Sequence, residues 1–227
     1  MAPILSACAF ILSLGAFIFT VFMQSKERTR NIRQTLSSSL SELAGINVAV
    51  SQLIKDEKES SPQLARIIKN YNSQRGTMVS AADFLINQND KFITGADYQL
   101  MAMTYDDLED IPKAEEYWLK AIDHAAGPPQ QHIFQRDYAT FLFNNNQDKK
   151  GREFFERSLR VQLSNTDDEH RYLADTYVTW ASLERNFGND QEFERLVTEA
   201  YSECKKIKHR RKNAEMCRLV DELTKAQ

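Results

Sequence analysis

Residues 98–121 read YQLMAMTYDDLEDIPKAEEYWLKA, and the spacing of large and small side chains in that stretch decides the fold. Tyr98, Met101, Ala102, Tyr105, Ala114, Trp118 and Ala121 fall at offsets 0, 3, 4, 7, 16, 20 and 23. The first four positions share one face of a helix, and the last three share one face of a second. Small residues let two antiparallel helices approach closely, and large ones fill the gaps between them.

The pattern recurs twice. Tyr138, Ala139, Leu142, Gly151, Phe155 and Ser158 occupy the matching slots of a second copy, with Gly151 and Ser158 in place of alanines. A third carries Tyr177, Trp180, Ala181, Gly188, Phe193, Val197 and Ala200. In that copy Gly188 marks the turn between helices, Phe193 stands where a small residue is expected, and Glu184 where an aromatic is expected. The copies are offset by 37 and 42 residues, longer than a repeat of ~34. Over roughly residues 95–205 the chain resembles the tetratricopeptide repeat (TPR) family. The resemblance implies a curved α-solenoid of antiparallel helix pairs whose first helices line a concave groove for a partner's peptide or helix. The family's groove positions fall on Gln99, Met103, Asp106, Arg136, Thr140, Phe143, Asn144, Val178, Ser182, Arg185 and Asn186. Arg136 and Arg185 are expected to hold carboxylates through paired hydrogen bonds, with Met103 and Phe143 as apolar anchors. The Lys/Asn clamp of chaperone-binding TPRs is not seen, so a chaperone co-factor role is not expected.

Composition agrees with an all-α chain. Seven glycines and five prolines among 227 residues are few, helix formers dominate, and no useful stretch alternates as a strand would. The net charge of −3 gives no bulk electrostatic argument for nucleic acid.

Pro3–Met23 contains no charged side chain. As a helix, those 21 residues rise ~31 Å, enough for a hydrocarbon core of ~30 Å. No Lys or Arg precedes the run, and Phe22-Met23-Gln24 offers no small-x-small cleavage site, so the reading is a retained transmembrane anchor rather than a signal peptide. Leu5-Ser6-Ala7-Cys8 matches the bacterial lipobox, but the apolar segment follows Cys8 instead of preceding it; Cys8 reads as a thiol among apolar side chains. Lys26, Arg28, Arg30 and Arg33 lie just after the run, which places residues 24–227 on the cytoplasmic side.

Leu36, Leu40, Leu43, Asn47, Val50 and Ile54 follow a 4-3-4-3-4 spacing, one apolar seam with a polar residue where a coiled coil can fix its register. The seam suits self-association through residues 36–54, or packing of this stalk on the repeats. The charged stretch Lys55 to Pro62 marks a boundary. Beyond it, Leu64, Ile67, Ile68 and Tyr71 form one stripe, and Ala82, Phe84 and Leu85 a second, read as a helix pair capping the array. Gly127-Pro128-Pro129 separates the first two copies, and Met216, Leu219, Val220 and Leu223 lie on a last amphipathic helix that covers the open end. The expected division is thus an anchor (1–24), a stalk (25–60), a capping or degenerate pair (61–94), three TPR-like repeats (95–205), and a basic turn with a capping helix (206–227).

No active-site motif is present: no P-loop, G-x-G-x-x-G, G-x-S-x-G or H-E-x-x-H. His124, His132, His170 and His209 have no ligand set at metal spacing, and Asp167-Asp168-Glu169 reads as a helix-start cluster favoured by the macrodipole. No cofactor, metal or catalytic residue is expected. Cys204 and Cys217 lie nearly equidistant from a turn near Arg210, so an antiparallel hairpin brings them face to face, as two packed thiols or, in an oxidising compartment, a disulfide. Lys205, Lys206, Lys208, Arg210, Arg211 and Lys212 form a basic patch, read as a solvated turn at a helix C-terminus or as a site for anionic headgroups, a nucleic acid or an acidic partner, although no aromatic interleaves the run as single-stranded nucleic acid binding would want.

The functional expectation is a membrane-anchored TPR adaptor, not an enzyme, that recruits or assembles partner proteins at the inner membrane. A second expectation comes from Asp137-Tyr138-Ala139-Thr140-Phe141-Leu142, which resembles the Asn-Tyr-Gly-x-Phe-Leu segment of periplasmic type IV pilus biogenesis TPR proteins. A third is a regulator of a membrane-associated enzyme.

Overall fold

The computed structural model describes residues 2–56, 62–88, 93–164 and 166–225; the side chains of 2–22, 25, 29, 54, 56, 62 and 88 lie outside the description. Every regular element among these residues is an α-helix. The chain divides into two units, Met1–Ile93 and Thr94–Gln227.

The first unit pairs α1 (Ala2–Asp56) with α2 (Pro62–Gln88). The stalk seam holds: Leu36, Leu40, Leu43 and Val50 are buried. Their counterparts on α2 are Leu64, Val79, Ala82 and Ile86. This corrects the expected capping pair at 61–94. Its two stripes lie on one unbroken helix of 27 residues, grouped with the stalk and not with the repeats. Gly76, in mid-helix, is tolerated there at a cost in propensity without forming a turn. Among the described residues no helix is long and apolar enough to cross a membrane. The anchor expectation falls on residues 3–22, whose side chains lie outside the description, as does that of Cys8.

The second unit packs its helices in neighbouring pairs: α3 (Gly95–Asp107) with α4 (Ile111–Asp123), α5 (Pro128–Asn144) with α6 (Asp148–Leu159), and α7 (Asp167–Asn186) with α8 (Asp190–Lys206). A final helix, α9 (Arg210–Lys225), packs on α7 and α8. Local chemistry sets the starts. Thr94 caps α3 in a capping box with Asp97, and Thr166 caps α7 with Glu169. Asp110 caps α4, where Pro112 sits in the first turn, and Asn189 caps α8.

The three turns within the pairs are built alike. The amides of Asp110, Gln147 and Asn189 donate to the carbonyls of Tyr105, Leu142 and Glu184 at 2.9, 2.8 and 2.9 Å. Those of Glu109, Asn146 and Gly188 donate to Asp106, Phe143 and Arg185 at 2.9, 3.1 and 3.0 Å. This is the Schellman arrangement, which needs a left-handed residue just past the helix. Glu109, Asn146 and Gly188 supply it, with φ of 61°, 58° and 73°. They are spaced 37 and 42 residues apart, the same offsets as the large and small slots.

Every slot of the first copy is buried, as are the six of the second. In the third, Trp180, Ala181, Phe193, Val197 and Ala200 are buried, whereas Tyr177 is only half-buried. Gly151 is small of necessity: a Cβ there would meet the Phe143 ring at 2.5 Å and the Ala139 carbonyl oxygen at 3.1 Å. Glu184 is wholly buried in its large-residue slot. Both its oxygens accept from Arg152, Oε1 also accepts from the Trp180 indole at 2.8 Å, and Oε2 from Asn189 at 3.0 Å.

Candidate functional site

Side chains of α3, α4, α5 and α7 enclose a cleft of ≈ 360 Å³. Met103 and Asp106 come from α3, Trp118 from α4, Arg136, Asp137, Thr140, Phe141 and Asn144 from α5, and Asp175 and Thr179 from α7. Its position follows from the repeat, since the first helices of the three pairs each present a polar stripe beside the buried one. The apolar part is made by Phe141 and Trp118, with ring centroids 6.5 Å apart, and by Met103, which is half exposed.

Five of the eleven groove positions line this cleft: Met103, Asp106, Arg136, Thr140 and Asn144. Gln99 lies beside it and donates to Asp137 Oδ2 at 2.8 Å. The others lie elsewhere. Phe143 is fully buried between Phe155 and Phe187 and cannot anchor a partner. Arg185 donates to the Leu223 carbonyl of α9 at 2.5 Å and lies over the Phe193 ring, so it holds the terminal helix in place. Val178, Ser182 and Asn186 are outside the cleft lining. The contribution of α7 comes from Asp175 and Thr179, each three positions before the expected Val178 and Ser182.

The charge of the cleft also differs from expectation. Arg136 donates from Nε to Asp137 at 2.9 Å and from Nη1 to Asp175 at 2.5 Å. Two carboxylates already occupy its donor fork, so it is not poised to take a third from a partner. With Asp106, three carboxylates and one guanidinium line the cleft. Burial raises the Asp106 carboxyl above the ordinary aspartate range, although Asn145 donates to it, and neighbouring Asp107 pushes it the same way. Trp118 Nε1 is buried and has no hydrogen-bond partner among the described residues.

The basic run is tied to the start of α7. Asp167 accepts from the backbone amides of Lys208 and His209 at 3.0 and 2.7 Å, and these bonds hold its carboxyl below the usual range. Lys212 pairs with Asp168 at 2.7 Å, and Lys206 with Glu203 at 2.6 Å. The acidic and basic runs are therefore partners in a solvated turn. His132 belongs to the core: its ring lies between the Ser158 carbonyl, 2.8 Å from Nδ1, and Thr176 Oγ1, 2.9 Å from Nε2. Among the described residues no group of three or more His, Cys, Asp or Glu side chains could hold a metal ion.

Comparison of the chain with protein-family models, with curated proteins and with solved structures finds no match.

Asp137, Asp175, Trp118, Phe141 and Thr179 escape a reading by groove position. Asp137 sits directly beside Arg136 in the chain, and Asp175 lies 39 residues from it, close to one repeat length. That pairing of opposite charges at the repeat spacing is the signal that could have found them.

Proposed function

We propose that residues 94–227 are a TPR-like adaptor module that binds a partner protein in the cleft between its first helices, and that the apolar N-terminal segment tethers it to a membrane. The observation that carries the reading is the cleft itself, a hollow lined by side chains from three successive pairs. Its charge favours a partner segment bearing Lys or Arg beside an apolar residue. The cation would face Asp106, Asp137 and Asp175, and the apolar group would rest on half-exposed Met103, above the buried rings of Trp118 and Phe141.

The test places a photo-crosslinking amino acid at Met103 of the full chain in cells. A discrete crosslinked partner should form, and it should be lost when Asp137 and Asp175 are both replaced by Lys while circular dichroism stays unchanged. A crosslink indifferent to those replacements, or none at all, overturns the reading.

A second reading is a periplasmic assembly factor of the type IV pilus kind. The packing of α9, which carries Cys217, on α8, which carries Cys204, favours it, because a facing pair would form a disulfide in an oxidising compartment. A C-terminal reporter active only in the cytoplasm separates the two topologies.

A further inference from the structure

Arg171 stands on α7 one turn before Asp175. Three aspartates lie one turn from it on the same helix, where an arginine ordinarily finds its ion pair: Asp167, Asp168 and Asp175. All three are engaged elsewhere. Asp167 accepts from the Lys208 and His209 amides, Asp168 pairs with Lys212, and Asp175 pairs with Arg136. Arg171 Nε is buried and has no hydrogen-bond partner among the described residues. The guanidinium lies over the Tyr172 ring, 5.7 Å from its centroid. Stacking of that kind uses the face of the group and leaves its in-plane donors available.

Arg171 lines a hollow of ≈ 270 Å³ between α5, α7 and α9. Ile133, Met216 and Leu219 form its apolar wall. Arg136 and Asp175 line both this hollow and the cleft, so the two share a wall. One stripe of each helix passes both. On α5 it runs from Ile133 through Arg136 and Thr140 to Asn144, and on α7 Arg171, Asp175 and Thr179 follow at intervals of one turn. Arg171 to Thr179 is a rise of ~12 Å. The stripe is acidic at the cleft end, through Asp106 and Asp137, and carries the cation of Arg171 at the other. Arg171 is not one of the expected groove positions, and the wall facing it comes from α9, beyond the repeats.

We propose that this hollow is a second subsite for the partner segment, in which Arg171 takes the carboxylate of an Asp or Glu side chain about three or four residues along an extended chain from the Lys or Arg in the cleft. The surroundings select a carboxylate over a phosphate. One uncommitted guanidinium balances one negative charge, and Asp175 and Glu215 on the same walls repel a dianion more strongly than a monoanion. The apolar wall suits the methylene stem of an acidic side chain. The inference rests on the adaptor reading for the basic half of the motif, whereas the acidic half depends on Arg171.

The experiment pans a phage-displayed library of random dodecapeptides on the purified full chain in non-ionic detergent. Enriched peptides should carry Asp or Glu about three or four residues from Lys or Arg. Panning on Arg171→Glu should exchange the acidic position for a basic one and keep the original basic position. Peptides that share a basic position without an acidic one overturn the Arg171 subsite and leave the adaptor reading standing. Peptides that share an acidic position without a basic one overturn the charge reading of the cleft and leave the subsite standing. No enrichment overturns both. For one enriched synthetic peptide, replacing its acidic residue by the amide should weaken binding to the wild-type chain roughly tenfold or more. Arg171→Gln, with circular dichroism unchanged, should weaken it by the same factor, and the two changes together should cost no more than either alone. Multiplying losses, or no loss from the amide peptide on the wild-type chain, overturn the contact.

Discussion

Arg152 of α6 and Glu184 of α7 meet in a two-pronged hydrogen bond across successive helix pairs, Nε to Oε1 at 2.7 Å and Nη2 to Oε2 at 2.8 Å. The Glu184 side chain is wholly buried, while that of Arg152 keeps about a third of its surface in water. Losing either partner is therefore not equivalent. Arg152→Ala strands a charge in the core and should cost ~3–5 kcal/mol. Arg152→Met combined with Glu184→Leu, which restores the leucine found at the matching slot Leu142, should cost much less. Chemical denaturation of both variants checks this. A milder effect for Arg152→Ala than for the apolar double variant would contradict the pairing.

The same carboxylate gives a pH dependence. Burial alone would raise the Glu184 pKa, but hydrogen bonds from Arg152, Trp180 and Asn189 outweigh it and leave the pKa below its ordinary value of 4.5. A depressed carboxylate contributes stability that is present above the unfolded pKa and lost as pH falls through the folded one. The melting-temperature gap between wild type and Glu184→Gln should thus be widest above pH ~5 and close as the pH falls below ~4.

His132 adds a second, higher window. Burial lowers its pKa from 6.5, against the opposing pull of the Ser158 and Tyr172 carbonyls. Below pH 6.5 the unfolded chain takes up a proton that the folded ring resists, so this contribution is full above 6.5 and shrinks as the pH drops. His132→Leu should remove that slope and cost ~1–3 kcal/mol, because the Ser158 carbonyl and Thr176 hydroxyl lose a partner. NMR titration of the His132 ring should show it taking up its proton at a pH below 6.5.

Glycine substitutions should have opposite signs in the two units. Gly151→Ala drives a methyl into the Phe143 ring and the Ala139 carbonyl and should destabilise by ~1–3 kcal/mol. Gly76→Ala meets nothing within 4 Å on an unbroken helix and should stabilise by ~0.5–1 kcal/mol. Ala102→Leu and Ala114→Leu, both at fully buried small slots, should behave like Gly151→Ala. Parent-like melting of all three enlarged variants would mean that the slots are not close-packed.

Cation binding in the cleft should weaken in acid. Burial raises the Asp106 carboxyl, so it takes up a proton at a higher pH than a free aspartate. As the pH falls, affinity for a crosslink-identified partner should begin to drop at a higher pH than a free aspartate would give, and Asp106→Asn should flatten that onset. Titration calorimetry at two pH values reads the effect.

The first copy was legible because close packing leaves a periodic trace in size. Ala102, Ala114 and Ala121 cannot be larger, and Tyr98 and Trp118 fill the spaces that result. The turns were legible only at Gly188. Glu109 and Asn146 adopt the same left-handed geometry with no glycine to announce it. The cleft was half legible. Periodicity shows which residues of a first helix turn away from the core, hence Met103, Thr140 and Asn144. It does not show which charges have already found each other. Arg136 read as a free cation because its partner Asp175 is a whole repeat away, and Arg185 because the helix it holds lies 38 residues further on. Glu184 was visible as a misfit in its slot, and its resolution lay 32 residues upstream in Arg152. The single helix α2 was missed because two apolar stripes were given a turn between them that the chain does not need.

The unbroken course of α1 has a geometric consequence. Fifty-five residues without a joint make a rod of about 82 Å, and a rod transmits angle as well as distance. The leucine seam at Leu36, Leu40 and Leu43 therefore has a fixed azimuth relative to the N-terminal segment. Inserting one alanine after Arg33 would swing the seam by about 100°, whereas inserting seven would return it to within about 20° while lengthening the rod. Whatever grips the first residues of this chain also dictates the direction in which α2 points.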